Sequence, residues 1–206
     1  MKSSTTESYS DMTEYPTERH PLEPFLPEGG KILMLGSFPP AQKRWSMDFF
    51  YPNWINDMWR IIGTVFFYDK EHFIIKGEKK FDKKKIVEFC TERGIGLYDT
   101  ASEVRRLKDN ASDKFLEIVR KSDMDVLLDR MPHCHAIVTT GQKASEVIAE
   151  TFGVREPAVG EMTLIEGAGG RKLHFWRMPS SSRAYPLALE KKAEHYRHLF
   201  ETESIL

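Results

Sequence analysis

Short apolar runs that stop at a small or polar residue, pass through a loop and give way to a helical stretch recur along this chain. Ile32 to Leu35 is one such run: it stops at Gly36 and leads into a loop that Pro39 and Pro40 stiffen. Ile95 to Asp99 is a second, and Ala136 to Thr139 a third, followed by a Gly141 turn and a helix that reaches about Phe152. Strands of this kind alternating with helices predict an α/β fold, a three-layer α/β/α sandwich with a central, mainly parallel sheet covered on both sides. Ligands of such sheets gather at the carboxyl ends of the strands. The segments GSFPP, GLYDT, TTGQ and MPSSSR are therefore expected to converge on one edge.

Between the strands, WINDMWRIIGTVF has the spacing of a helix buried along one broad face, with Asn53 placed to cap it. The segment FDKKKIVEFCTERG reads as a second helix, opened by Asp82 and closed by Gly94. ASEVRRLKDNASDKF reads as a long polar connection, followed by helical KFLEIVRKS and DVLLDRM. Two short strands around the Gly167 to Gly170 turn, a Ser-rich loop and a closing helix from about Pro186 complete the pattern. Residues 1–24 lack either periodicity and read as a polar arm, leaving residues 25–206 as one folded domain that begins near Phe25.

Several classes of protein are set aside by composition and spacing. Thirty Lys and Arg against 31 Asp and Glu give a net charge of −1, so any grip on a polyanion must come from a local basic face. No apolar run approaches the roughly 18 residues a membrane span needs, and the first residues lack a signal peptide's apolar stretch, so a cytoplasmic protein without a membrane partner is expected; a monomer is expected as well. Cys90 and Cys134 are the only cysteines, too few for a disulfide framework or a four-thiolate cluster. There is no GxSxG nucleophile turn, and GAGG lacks the lysine of a phosphate-binding loop. His133 and His135 have no second ligand pair, so neither metal nor cofactor is expected.

Singly, the remaining candidates have plain structural explanations. GSFPP is a stiff turn, and Trp45, Phe49, Phe50, Tyr51, Trp54 and Trp59 are core-forming aromatics. Asp99 can cap a turn, and Ser180, Ser181 and Ser182 can open a helix. The lysines at 79, 80, 83, 84 and 85 read as a solvated helix face, whereas Arg105, Arg106 and Lys108 directly follow GLYDTAS and are better placed to touch phosphate.

Their order is more specific than any one of them. GSFPP, FFYPNWINDMW, GIGLYDT, AIVTTGQKA and MPSSSRAY follow one another in the arrangement of the uracil-DNA glycosylase superfamily, which the chain resembles across nearly all of Ile32 to Tyr185. It looks most like the branches of the mismatch-specific uracil/thymine and hypoxanthine-DNA glycosylase-like proteins. Asn56 to Trp59 fit the N-x-F/Y/M-W signature, and Pro179 to Ser181 the Pro-Ser loop.

The resemblance implies base-excision repair: a monofunctional glycosylase that everts a deaminated base (uracil, hypoxanthine or xanthine) and hydrolyses its N-glycosidic bond, leaving an abasic site. DNA carrying a damaged or mismatched base is the implied partner. Phe38 and Tyr51 would wall the base, main-chain N–H groups of Gly36, Ser37 and Phe38 would meet its developing charge, and Asp99 would read its edge. Phe38 stands where the classical branches carry Asn or Asp, so the attacking water falls to Asn56, with Asn53 in reserve. Met178 replaces the histidine found ahead of Pro-Ser in the uracil-specific branch. Ser180, Ser181 and Ser182, with Arg105 and Arg106, would hold phosphate, and Arg183 or Tyr185 would fill the gap left by the everted base. Two rivals stand beside this reading: a non-catalytic nucleic-acid or nucleobase-binding protein on the same fold, and an N-ribohydrolase of free nucleosides.

Overall fold

The computed structural model describes residues 15–107 and 115–206. In chain order its elements are β1 (Thr17–Arg19), β2 (Ile32–Gly36), α1 (Met58–Phe67), α2 (Lys83–Arg93), β3 (Ile95–Asp99), β4 (Ala101–Arg106), β5 (Leu116–Lys121), α3 (Met124–Asp129), β6 (Ala136–Thr140), α4 (Gln142–Phe152), β7 (Glu161–Glu166), β8 (Lys172–Met178) and α5 (Leu189–Thr202). Five strands form the central sheet in the order β3-β2-β6-β8-β7. The first four run parallel, and β7 is antiparallel to β8.

Side chains of β2 point alternately into two cores. Ile32 and Met34 join Trp59, Phe89 and Phe200 from α1, α2 and α5, whereas Leu33 and Leu35 join Leu127 and Ile148 from α3 and α4. Two cores on opposite faces of one sheet make the three-layer sandwich expected from the strand and helix order. Each such fully buried aliphatic side chain contributes about 1.5–3 kcal/mol, which makes the middle strands the anchor of the fold.

Helix ends follow the local chemistry. Asp82 accepts the Lys85 N–H at 3.1 Å to open α2, and Gly94 closes it in the left-handed conformation at φ 71°. By contrast, α1 begins at Met58 and not near Asn53. Asn53 Oδ1 instead accepts the Ile55 N–H at 3.2 Å, and Asn56 Oδ1 accepts the Met58 N–H at 2.9 Å. Both carboxamides shape the loop ahead of the helix.

Three expectations are corrected. The folded part starts before Phe25: β1 pairs antiparallel with β4, which draws residues 17–19 of the expected arm into a second sheet, β1-β4-β5. Residues 1–14 lie outside the described residues. The segment expected as a polar connection contains β4, and the segment expected as a helix, KFLEIVRKS, contains β5. Charges are matched across this pair, Arg105 with Glu117 at 3.6 Å and Arg120 with Glu103 at 3.5 Å. A bulge between Ala101 and Val104 breaks the period of two that would have marked a strand. The rest of that connection, including Lys108, lies outside the described residues.

Candidate active site

Parallel register brings the strand ends together: Gly36 of β2 stands opposite Asp99 of β3, and Thr140 of β6 opposite Met178 of β8. These ends open into a cleft of about 940 Å3. Of the residues singled out from the sequence, Gly36, Ser37, Phe38, Tyr51, Asn53, Asn56, Asp99, Arg106, Ser180, Ser181, Ser182, Arg183 and Tyr185 all line it. Arg105 does not; its guanidinium faces Glu117.

Asp99 forms part of the floor and is nearly buried. The Ser122 hydroxyl donates to its carbonyl at 2.7 Å, and His20 Nε2 donates to its Oδ2 at 2.8 Å. Gly36 is required here for space: a Cβ would collide with Asp99 Oδ1. Past Gly36 the Ser37 carbonyl accepts the Ala101 N–H at 3.2 Å, while the Ser37 and Phe38 N–H groups donate to no acceptor among the described residues.

Phe38 is fixed at one wall. Its ring packs with Ala101, Val104 and Leu116, meets His20 edge-on at 5.2 Å, and has the Arg106 guanidinium 5.5 Å from its centroid. Arg106 also donates to the Pro39 carbonyl at 2.6 Å and pairs with Glu18 at 2.9 Å, so it shapes the GSFPP loop as well as lining the cleft.

Tyr51 holds a left-handed backbone at φ 52°, a conformation that costs a non-glycine residue about 1–2 kcal/mol. Its hydroxyl lies 3.0 Å from Thr140 Oγ1, and its ring meets Trp59 edge-on at 6.1 Å. Burial pushes the phenol well above its ordinary pKa, so it stays neutral.

The loop carrying Asn56 is fastened to the Ser-rich loop. Asp57 N–H donates to the Ser181 carbonyl at 2.9 Å, and Asp57 Oδ1 accepts from Arg183 Nε at 2.8 Å. Lys192, buried beneath, donates to the Ser182 carbonyl at 2.7 Å, and that burial lowers its pKa. Ser180 Oγ and Ser182 Oγ accept the N–H groups of Ser182 and Ala184, each at 3.2 Å, which leaves each hydroxyl proton available to a ligand.

Charge is unevenly placed. Arg44, Arg106, Lys143, Arg177 and Arg183 line the cleft with Asp99 and Glu146, and three of these cations are paired with acids outside the lining, Arg106 with Glu18, Arg177 with Glu156 and Arg183 with Asp57. Neither Arg44 nor Lys143 has an ion-pair partner among the described residues.

Cys90 and Cys134 are free thiols buried away from the cleft, and burial raises both, Cys134 to about 11. Neither is a nucleophile at neutral pH. Among the described residues no three His, Cys, Asp or Glu side chains are grouped to hold a metal ion, and no helix is long and apolar enough to cross a membrane. His20, Thr140 and the rim cations Arg44 and Lys143 were not singled out from sequence. His20 carries no motif or periodicity that would have revealed it.

Fold and cleft together define a three-layer α/β/α protein with an open cleft at the carboxyl ends of its parallel strands. No family model and no curated protein matches the chain. Among solved structures it is similar to the solution NMR structure of a protein from Methanosarcina acetivorans described as a "putative Uracil DNA glycosylase". The two share 20% identity at a TM-score of 0.58, over 89% of this chain and 99% of the other. At that identity the likeness establishes a shared fold.

Proposed function

We propose that the protein is a DNA base-excision glycosylase that hydrolyses the N-glycosidic bond of an everted, deaminated base. The observation that carries this reading is the meeting of Phe38, Tyr51, Asn56, Asp99 and Ser180 in one cleft whose charged lining is mostly basic. Two aromatic side chains beside a strand-end carboxylate suit a flat heterocycle, and the cations suit the phosphates that flank it.

In this reading the C1′–N bond breaks with its electron pair leaving on the base. Unpaired N–H groups of Ser37 and Phe38 stabilise that charge as it forms. A water held by Asn56 adds to C1′ and gives up its proton to solvent or the departing base. Asn56 Oδ1 already accepts the Met58 N–H, which fixes the carboxamide in place and leaves it a second lone pair for that water. The similar M. acetivorans protein, described as a uracil DNA glycosylase, is consistent with this class of reaction.

The test is base release by the purified protein from single- and double-stranded oligonucleotides carrying uracil, hypoxanthine or xanthine, with free nucleosides alongside. Abasic product from oligonucleotides supports the proposal. Release only from nucleosides assigns an N-ribohydrolase, and tight lesion binding without release assigns a non-catalytic binder.

A further inference from the structure

His20 belongs to the polar segment ahead of the sandwich, yet its side chain is 2% exposed and pressed against the cleft floor. Three rings enclose it: Tyr98 at 4.6 Å, Phe38 at 5.2 Å and Phe50 at 6.2 Å. Its Nδ1 lies 2.8 Å from the Leu22 carbonyl and 3.1 Å from the Leu22 N–H. A carboxylate only accepts, so Nε2 must be the donor to Asp99 Oδ2. Nδ1 then accepts the Leu22 N–H when the ring is neutral, or donates to the Leu22 carbonyl when it is an imidazolium. Either state keeps the Nε2 bond, and one carboxylate oxygen is committed to His20.

The other oxygen is available. Asp99 Oδ1 accepts no hydrogen bond among the described residues and occupies the space over Gly36 that a side chain would fill. Ser37 and Phe38, which follow Gly36 in the chain, line the same cleft as Asp99, and their N–H groups donate to no acceptor among the described residues. The floor thus presents one acceptor beside two donors.

Deamination produces the complement of this pattern. It converts N3 of cytosine and N1 of adenine from ring acceptors into N–H donors and sets a carbonyl beside each. We infer that His20 is a positioning residue: it locks Asp99 so that Oδ1 receives the ring N–H of the everted base while the loop N–H groups receive the adjacent carbonyl. The inference rests on the glycosylase reading, and what it adds is the residue that orients Asp99 towards a base with an N–H–C=O edge. Cytosine and adenine would bring a ring lone pair against the carboxylate and an amino group against the N–H donors, so they are rejected by repulsion at both contacts. Thymine and guanine share the accepted edge and are protected by stacking and pairing in the duplex.

The experiment compares release of uracil and hypoxanthine with release of 3-methyluracil and 1-methylhypoxanthine, in which the ring N–H is gone, by the full chain and by His20→Ala and His20→Gln. The parent should favour the unmethylated bases by about 100-fold or more. His20→Ala should lose about 10- to 100-fold in kcat/KM on unmethylated bases and most of the discrimination. His20→Gln, which keeps a side-chain N–H, should recover much of both. A His20→Ala protein with the parent's discrimination ratio overturns the inference. Should that variant not fold, Asp99→Ala replaces it, and undiminished discrimination there overturns the inference equally. A parent that releases no base from any oligonucleotide defeats the glycosylase reading separately. Calorimetry with free uracil, hypoxanthine and their N-methyl forms then decides: a preference that His20→Ala abolishes sustains the inference, and equal binding overturns it.

Discussion

Gly36 and Asp99 face each other in register at the ends of β2 and β3, and the glycine's missing side chain is what leaves room for the carboxylate at the cleft floor. Gly36→Ala is a small change in volume with a specific victim. The new methyl must displace Asp99 Oδ1, and the carboxylate is tethered on its other side by His20. We expect a loss of about 1–3 kcal/mol in stability, by urea unfolding, and a larger proportional loss of base release or base binding. Full activity in Gly36→Ala would show that the position of Oδ1 is immaterial.

This pair also shows what the sequence makes legible. The strands β2, β3 and β6 are short, largely apolar and buried, so each announces itself, and parallel pairing then sends their following loops to one edge. The cleft's principal side chains are those loops. His20 is different: its role depends on one contact across 79 positions of sequence, from a segment whose composition is that of a tail. Likewise, β4 and β5 carry charges matched across the pair and are interrupted by a bulge, so neither hydrophobic period survives in them.

Asn56 and Asn53 separate by their bonding. Each Oδ1 accepts the N–H two residues on, but Asn56 is bridged to Ser182 of the Ser-rich loop and bonds the first N–H of α1, whereas Asn53 is bridged to Trp45 and bonds an exposed N–H. Asn56→Ala should lower kcat about 100- to 1,000-fold with little change in KM, and Asn53→Ala should cost under about 10-fold. Single-turnover base release measures both. Equal rates for Asn56→Ala and parent would remove Asn56 from the mechanism.

Arg44 and Lys143 line the cleft without an ion-pair partner among the described residues, which makes them the cations most available to phosphate. Arg44→Gln and Lys143→Gln should each weaken binding to lesion and normal DNA alike. Each should also reduce the slope of log affinity against log salt by about 1. Fluorescence anisotropy over a salt series reads this directly; unchanged slopes would place the phosphates elsewhere.

The buried thiols give the protein an alkaline weakness. Burial raises Cys134 from 9.0 to about 11 in the folded state, so over that interval the unfolded chain has released a proton the folded one still holds. Stability is therefore unaffected by this group below about pH 9 and falls as pH rises towards 11. Tyr51 and Cys90, also raised by burial, steepen the fall. Urea midpoints for Cys134→Ala should decline less steeply with pH than those of the parent. Parallel curves would mean that the thiol ionises alike in both states.

At the opposite edge of the sheet from the cleft, Glu203 ties the end of α5 to the starts of β6 and β8. Its carboxylate is nearly buried and accepts from Trp176 Nε1 at 2.6 Å and His174 Nδ1 at 2.7 Å, with His135 Nε2 at 3.2 Å. Deleting it strands the Trp176 indole N–H in the core and loosens the last turn of α5. Glu203→Ala should cost about 2–4 kcal/mol in urea unfolding, and Glu203→Gln, which keeps one acceptor oxygen, distinctly less. Because no residue of this latch lines the cleft, DNA binding per folded molecule should be unchanged in both variants. A Glu203→Gln protein as unstable as Glu203→Ala would mean that the charge matters more than the indole hydrogen bond, and the half-exposed histidines would then be the partners that count.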